Sequence, residues 1–124
     1  MAAIDEHFQR APLSRNAPVL MGLISVWNRT FLGRHSRALI AYLDALAALV
    51  PFIQQLEMES NGKRVLDDSS PTMFSTGPVV WGGVGTDAQH AFMQLVHQGT
   101  DVVPVDFIGV SRSNGRRNDE LIAN

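Results

Sequence analysis

Apolar side chains recur along this chain in two alternating patterns, and that alternation limits the possible folds more than any other feature. Residues 38–42, 78–81 and 101–108 are short runs suited to buried strands, among them Ala38-Leu39-Ile40-Ala41-Tyr42 and Pro78-Val79-Val80-Trp81. Between them, residues 44–60 and 87–98 carry apolar side chains at three- and four-residue spacing, the period of a helix with one packed face. Strand, helix, strand, helix, strand predicts an α/β fold, a three-layer arrangement in which a parallel sheet is flanked by helices. With 124 residues, 45% of them hydrophobic, the chain can build one modest domain with its own core but hardly two.

Two further helices are expected ahead of the first strand, at about 2–11 and 17–32. Ile4 and Phe8 lie one turn apart in the first. The second has Asn16 as N-cap, Pro18 in its first turn, and Val19, Leu20, Leu23, Ile24, Trp27 and Phe31 at helical spacing up to Gly33. It is apolar almost all round, which predicts burial in a body larger than 124 residues make, with Trp27 in a core rather than as a platform for a sugar. In the helix over 44–60, Asp44 is the expected N-cap, Leu46, Leu49, Val50, Ile53 and Leu56 line one face, and Pro51 should kink or restart the helix.

Gly82-Gly83-Val84-Gly85 reads as a turn leading into the helix over 87–98, with Thr86 and Gln89 in the spacing of a capping box. Ala91, Phe92, Leu95 and Val96 are its expected packed side, and His90, Gln94 and His97 fall together opposite. Gly99 ends it, and Pro104 marks the last strand as an edge or a bulge. Residues 64–76 and 109–118 read as polar loops, and 119–124 as the start of a helix.

Composition narrows the function classes. Ten basic and twelve acidic residues give a net charge of -2, so there is no general attraction to nucleic acid or to an anionic membrane. With no cysteine, disulfides, thiol nucleophiles and thiolate metal sites are excluded, in keeping with a cytoplasmic location. Lys63 is the only lysine, so Schiff-base chemistry would rest on it alone. The N-terminus has neither a basic start nor a long apolar stretch, and the apolar run at 19–26 is too short to cross a bilayer. A soluble protein is expected. Asp67 and Asp68 lack a third ligand at a supporting spacing and read as surface carboxylates.

Chemistry concentrates in Gln54-Gln55-Leu56-Glu57-Met58-Glu59-Ser60-Asn61-Gly62-Lys63. On a helix, Gln55 and Glu59 project an amide and a carboxylate from one face, about a turn apart. Asn61-Gly62 is a helix-stop signal, since both residues tolerate the left-handed conformation. Glu59 then stands in the last turn, where the helix dipole disfavours a carboxylate, a local misfit that suits a working base. By residue type alone, an ordinary solvated glutamate is the commoner occupant of such a place. Arg34, His35 and Arg37 form a basic segment before the first strand, more often a solvated connector than a phosphate site.

Gly83-Val84-Gly85-Thr86-Asp87-Ala88, with Asp106 about twenty residues on, also matches a dinucleotide-binding pattern. Asp87 would put a negative charge where a pyrophosphate must sit, which weighs against that reading.

Glu57-Met58-Glu59-Ser60-Asn61-Gly62-Lys63 closely resembles the signature of glucose-6-phosphate isomerases (phosphoglucose isomerases). Thr76-Gly77-Pro78-Val79-Val80-Trp81-Gly82 resembles the family's strand and turn. Gly85-Thr86-Asp87-Ala88-Gln89-His90-Ala91-Phe92 with Gln94-Leu95-Val96-His97-Gln98-Gly99-Thr100 resembles its second signature. Asp5-Glu6-His7-Phe8, Ala11-Pro12-Leu13 and Asn16-Ala17-Pro18-Val19-Leu20 resemble the run upstream, so the likeness spans nearly the whole chain in the family's order. Gly83 and Val84 replace the family's Glu-Pro, and Asp87-Ala88 its Asn-Gly, which loosens the turn before His90.

The resemblance implies the first part of the second sugar-isomerase (SIS) domain, flavodoxin-like, over residues 1–124. It implies a cofactor-free and metal-free aldose-ketose isomerase of glycolysis and gluconeogenesis, which interconverts glucose 6-phosphate and fructose 6-phosphate through an enediol(ate). By position in the signatures, Glu59 is the catalytic base, His90 the group that serves ring opening, and Gln55 a substrate contact; His97 is either structural or a support behind the residues that touch substrate. It further implies a homodimer in which His90 reaches the neighbouring subunit's site. The phosphate loop, the arginine that steadies the enediolate and a C-terminal lysine fall outside the matched stretch, so the segment alone is expected to be inactive. The alternative is a non-catalytic SIS-type domain that binds phosphosugars.

Overall fold

The computed structural model describes residues 2–109. Residues 110–118 of the loop expected over 109–118, and the helical start expected over 119–124, lie outside the described residues. Helix α1 (Ala2–Arg10) is followed by a short 3-10 turn and by α2 (Ala17–Val26), which runs on into a π-helical turn, Trp27–Phe31. Asn16 joins the two helices. Its Oδ1 accepts the Val19 N–H at 3.4 Å as an N-cap should, and its Nδ2 donates to the Phe8 carbonyl at 2.7 Å.

Neither α1 nor α2 buries a side chain. Trp27, expected in a core, is 56% exposed and stacked on Phe31 with ring centroids 4.9 Å apart. No element among the described residues covers that side of α2.

The strands are β1 (Ser36–Ala41), β2 (Val79–Val84) and β3 (Val105–Ile108). All pairings are parallel and the order is β2-β1-β3, with Leu39 beside both Gly82 and Asp106. This α/β arrangement matches the expected fold class, and the order is that of the first three strands of a flavodoxin-like sheet. Ala38, Leu39, Ile40 and Ala41 of central β1 are all buried, and Val50, Val80 and Ala88 complete the core from the neighbouring elements.

Two strand boundaries depart from expectation. β2 runs on through Gly82 and Gly83, which read as a turn, because Gly82 (φ +145°) approaches the Leu39 carbonyl so closely that a Cβ would overlap it. β3 starts at Val105 rather than 101. Pro104 contributes only its carbonyl, which accepts the Ala38 N–H at 2.9 Å, and the ladder begins one residue later.

Helix α3 (Leu49–Gln54) continues into a second π-helical turn, Gln55–Glu59. A 3-10 turn, Asp44–Leu46, comes first, so the α-helix starts anew at Leu49 and Pro51 falls in its first turn, where a missing N–H costs nothing. Asp44 lies inside the 3-10 turn and is not a cap. Leu56 is 53% exposed instead of packed. The π turn closes i→i+5 rather than i→i+4 hydrogen bonds, which rotates Leu56 off the packed face and brings Glu57 toward the sheet.

Helix α4 (Gly85–Ala91) springs directly from β2, with Val84 in the cap place and Thr86 already helical, so the capping box does not form. The helix breaks at Phe92 (φ −142°, ψ 0°) before α5 (Met93–Gln98). The Phe92 ring meets Trp81 edge-on at 5.0 Å. Gly85 and Ala88 are the buried positions of α4, while Ala91 and Leu95, expected to pack, are exposed.

Side chains alternate across the sheet. Arg37, Leu39, Val80 and Asp106 share one face; Ala38, Ile40, Trp81 and Gly83 share the other. α3 and its π turn cover the first face: Gln54 Nε2 donates to the Val80 carbonyl at 3.1 Å and Glu57 meets Arg37. α4 and α5 cover the second, through Phe92 against Trp81 and Gly83. Right-handed crossovers require this, because the steps from β1 to β2 and from β2 to β3 run in opposite directions along the sheet.

Candidate active site

Gln55 and Glu59 open and close the second π turn, and both side chains are exposed. The helical segment runs back from the C-terminal end of β1, and the Asn61 carbonyl meets the Gly77 N–H at 3.5 Å just ahead of β2. The chain leaves the helix at Gly62, but neither Asn61 nor Gly62 takes a positive φ. What selects glycine there is crowding: the Gly62 N–H donates to the Met58 carbonyl at 2.9 Å, and a Cβ would press on that same oxygen.

The Glu59 carboxylate is 73% exposed and pairs with Lys63 Nζ at 3.5 Å, while Lys63 also donates to the Glu59 carbonyl. An exposed pair of this kind contributes at most about 1 kcal/mol, so the carboxylate is free to leave its lysine for a substrate. A cleft of about 490 Å³ opens beside the turn, lined by Arg29, Glu57, Ser60, Asn61, Lys63 and Thr76 among others. Glu59 itself is not among its lining residues.

His90 stands exposed on α4, and Gln94 and His97 are exposed on α5, past the break at Phe92. The structure therefore holds Gln55 and Glu59 in one turn and keeps His90 apart from them, on α4 at the opposite face of the sheet. Among the described residues, no group of three or more His, Asp and Glu side chains could hold a metal ion, and no helix is long and apolar enough to cross a membrane.

The dinucleotide reading fails on topology. Gly83 is a strand residue, β2 and β3 are separated by β1, and Asp106 is engaged by Arg37 across the sheet.

Sequence reasoning missed one group around the turn. Arg37 is a strand residue rather than part of a basic loop, and its side chain is only 21% exposed. Its Nε donates to Asp106 Oδ2 at 2.5 Å, and a terminal nitrogen lies 3.5 Å from Glu57 Oε2. The available signal was the polar Arg37 at an inward position two residues ahead of Leu39. His35 likewise is partnered, accepting from Arg29 at 3.1 Å while Arg29 also donates to the Gly77 carbonyl at 3.2 Å.

Comparison with known proteins fits this geometry. The family model described as phosphoglucose isomerase matches residues 1–124. A glucose-6-phosphate isomerase of Rhizobium meliloti (strain 1021) is 56% identical over 117 residues, which cover 94% of this chain and 21% of that protein. The crystal structure of a glucose-6-phosphate isomerase from Chlamydia trachomatis D/UW-3/Cx superposes with a TM-score of 0.84 at 40% identity, covering 99% of this chain and 26% of that one. A hypothetical protein from Thermus thermophilus shares the fold alone, with a TM-score of 0.70 at 19% identity, covering 98% of this chain and 29% of that one. The chain thus spans about a fifth of the length of the curated relatives it matches. With a match over every residue and a superposition that covers 99% of the chain, the chain belongs to the phosphoglucose isomerase family.

Proposed function

We propose that this chain is the first part of the second SIS domain of a cytoplasmic glucose-6-phosphate isomerase and contributes the base of its proton transfer. Isomerising an aldose phosphate to a ketose phosphate moves a proton between C1 and C2 through an enediol(ate), and one carboxylate can take that proton and return it. Glu59 has this role and Gln55 holds sugar hydroxyls, for which an amide is both donor and acceptor. His90 serves ring opening. The observation that carries the reading is the π turn, which presents an amide and a carboxylate side by side at an exposed surface. Single π turns inside α-helices recur at functional sites.

In this proposal the whole protein is a dimer. Glu59 and His90 lie on opposite faces of one sheet, so a pocket using both draws them from two copies. No cofactor takes part, because carboxylate and imidazole suffice for proton transfers.

The test is a full-length chimera in which these 124 residues replace the matching stretch of the Rhizobium meliloti relative. It should turn over fructose 6-phosphate in a coupled assay, and Glu59→Gln should lower kcat by about a hundred- to ten-thousandfold, as loss of a catalytic base does. Turnover retained in Glu59→Gln sinks the assignment. A folded, inactive chimera that still binds fructose 6-phosphate, unaffected by Glu59→Gln, would leave the phosphosugar-binding alternative in its place.

A further inference from the structure

The turn that carries Gln55 and Glu59 is tied to the sheet by side chains at two points, Gln54 on the Val80 carbonyl and Glu57 on Arg37. Only the second lies inside the π turn itself. Glu59 has the exposed Lys63 as its ion partner, so its direction is set by the backbone that bears it and not by its own contacts. That backbone is in the wider i→i+5 form, a conformation that needs outside restraint to persist against the ordinary α-helix. A change of form would turn Glu59 relative to Gln55.

We propose that Arg37, acting through Glu57, is a positioning residue for the isomerisation and holds the π turn in the form that aims Glu59 at substrate. This rests on the reading of Glu59 as the base. The guanidinium is itself oriented: Asp106 of β3 fixes its Nε at 2.5 Å, leaving a terminal nitrogen for Glu57. A planar fork serves two carboxylates in fixed directions, whereas a lysine ammonium on a flexible stem can reach both but holds neither direction. Glu57 is 16% exposed, so it has little water to fall back on. Without Arg37, Glu57 and Asp106 would be like charges sharing a partly buried site, and the exit of Glu57 would carry the turn with it.

The full-length chimera tests this with Arg37→Gln, Glu57→Gln, Arg37→Lys and the double substitution. Arg37→Gln and Glu57→Gln should each lower kcat by about ten- to a hundredfold, the scale of a displacement near 1 Å in a reacting group, with KM changed less than about threefold. The double variant should lose no more than the worse single one, because both act through one contact. Arg37→Lys should recover part of kcat and not all.

Glu57→Gln, close to isosteric, carries the test if Arg37→Gln does not fold. Folded single variants with kcat within twofold of the parent overturn the proposal, as do losses that add in the double variant. Glu59→Gln, run beside them, separates the two claims. If it abolishes turnover while Glu57→Gln is normal, the positioning role alone fails; if it retains turnover, the base assignment fails first.

Discussion

Gly82 of β2 lies in register beside Leu39 of β1 at φ +145°, with no room for a Cβ against the Leu39 carbonyl. The oxygen it would strike belongs to the central strand, where Ala38, Leu39, Ile40 and Ala41 are all buried, so neither side can give way. Gly82→Ala should therefore destabilise the fold by about 3 kcal/mol or more, from steric overlap and a left-handed-region φ together. Chemical denaturation reads this directly, and a loss under about 1 kcal/mol would contradict the close approach.

The same glycine shows where the sequence is a poor guide. Gly82-Gly83 suggests a turn because glycine pairs usually supply one, whereas here the glycine is needed for contact with a strand more than forty residues away in sequence. The alternation of strands and helices was legible because β1 is covered on both faces and so reads as an unbroken apolar run. That Gln55 and Glu59 fall in one turn was legible from spacing, but a π turn and an α turn contain the same residues, so the form of the turn was not. Arg37 was misread as a loop residue since its partners, Glu57 and Asp106, lie 20 and 69 residues away and only the folded sheet assembles them.

Asp68 and Ser70 give a pH-dependent prediction. The Ser70 hydroxyl donates to Asp68 Oδ1 at 2.5 Å and the Ser70 N–H to the same oxygen at 2.9 Å, and these bonds, the hydroxyl first, hold the carboxyl below its usual 3.8. A depressed pKa contributes stability above the unfolded value, and that contribution is lost as pH falls below 3.8 through the folded value. Ser70→Ala removes the larger cause and keeps the N–H, so an NMR titration of the Asp68 carboxyl should move up toward 3.8 without reaching it. No movement would mean that the hydroxyl is not what holds it.

Residues 1–124 expressed alone should show no measurable isomerase turnover. Gln55 and Glu59 are exposed on one face of the sheet and His90 on the other, so a single copy does not assemble the proposed base and the proposed ring-opening group in one place. Proton transfer to a bound sugar demands groups within hydrogen-bond reach of the same substrate. A coupled assay with fructose 6-phosphate on the monomeric segment is the measurement, and turnover near that of the full-length relative would refute the separation.

That separation also predicts how damaged copies rescue one another. Take two full-length chimeras, one with Glu59→Gln and one with His90→Ala, each inactive by itself. If a site draws Glu59 from one subunit and His90 from its neighbour, a mixed dimer has one site with both lesions and one with neither. Random mixing makes half the dimers mixed, so refolding the two together in equal amounts should restore about a quarter of the parent activity. If both groups came from one subunit, every site in the mixture would keep one lesion and the mixture would stay as inactive as its parts. Activity of the mixture against that of each variant refolded alone is the measurement, and an inactive mixture in which mixed dimers are shown to form rules out the shared site.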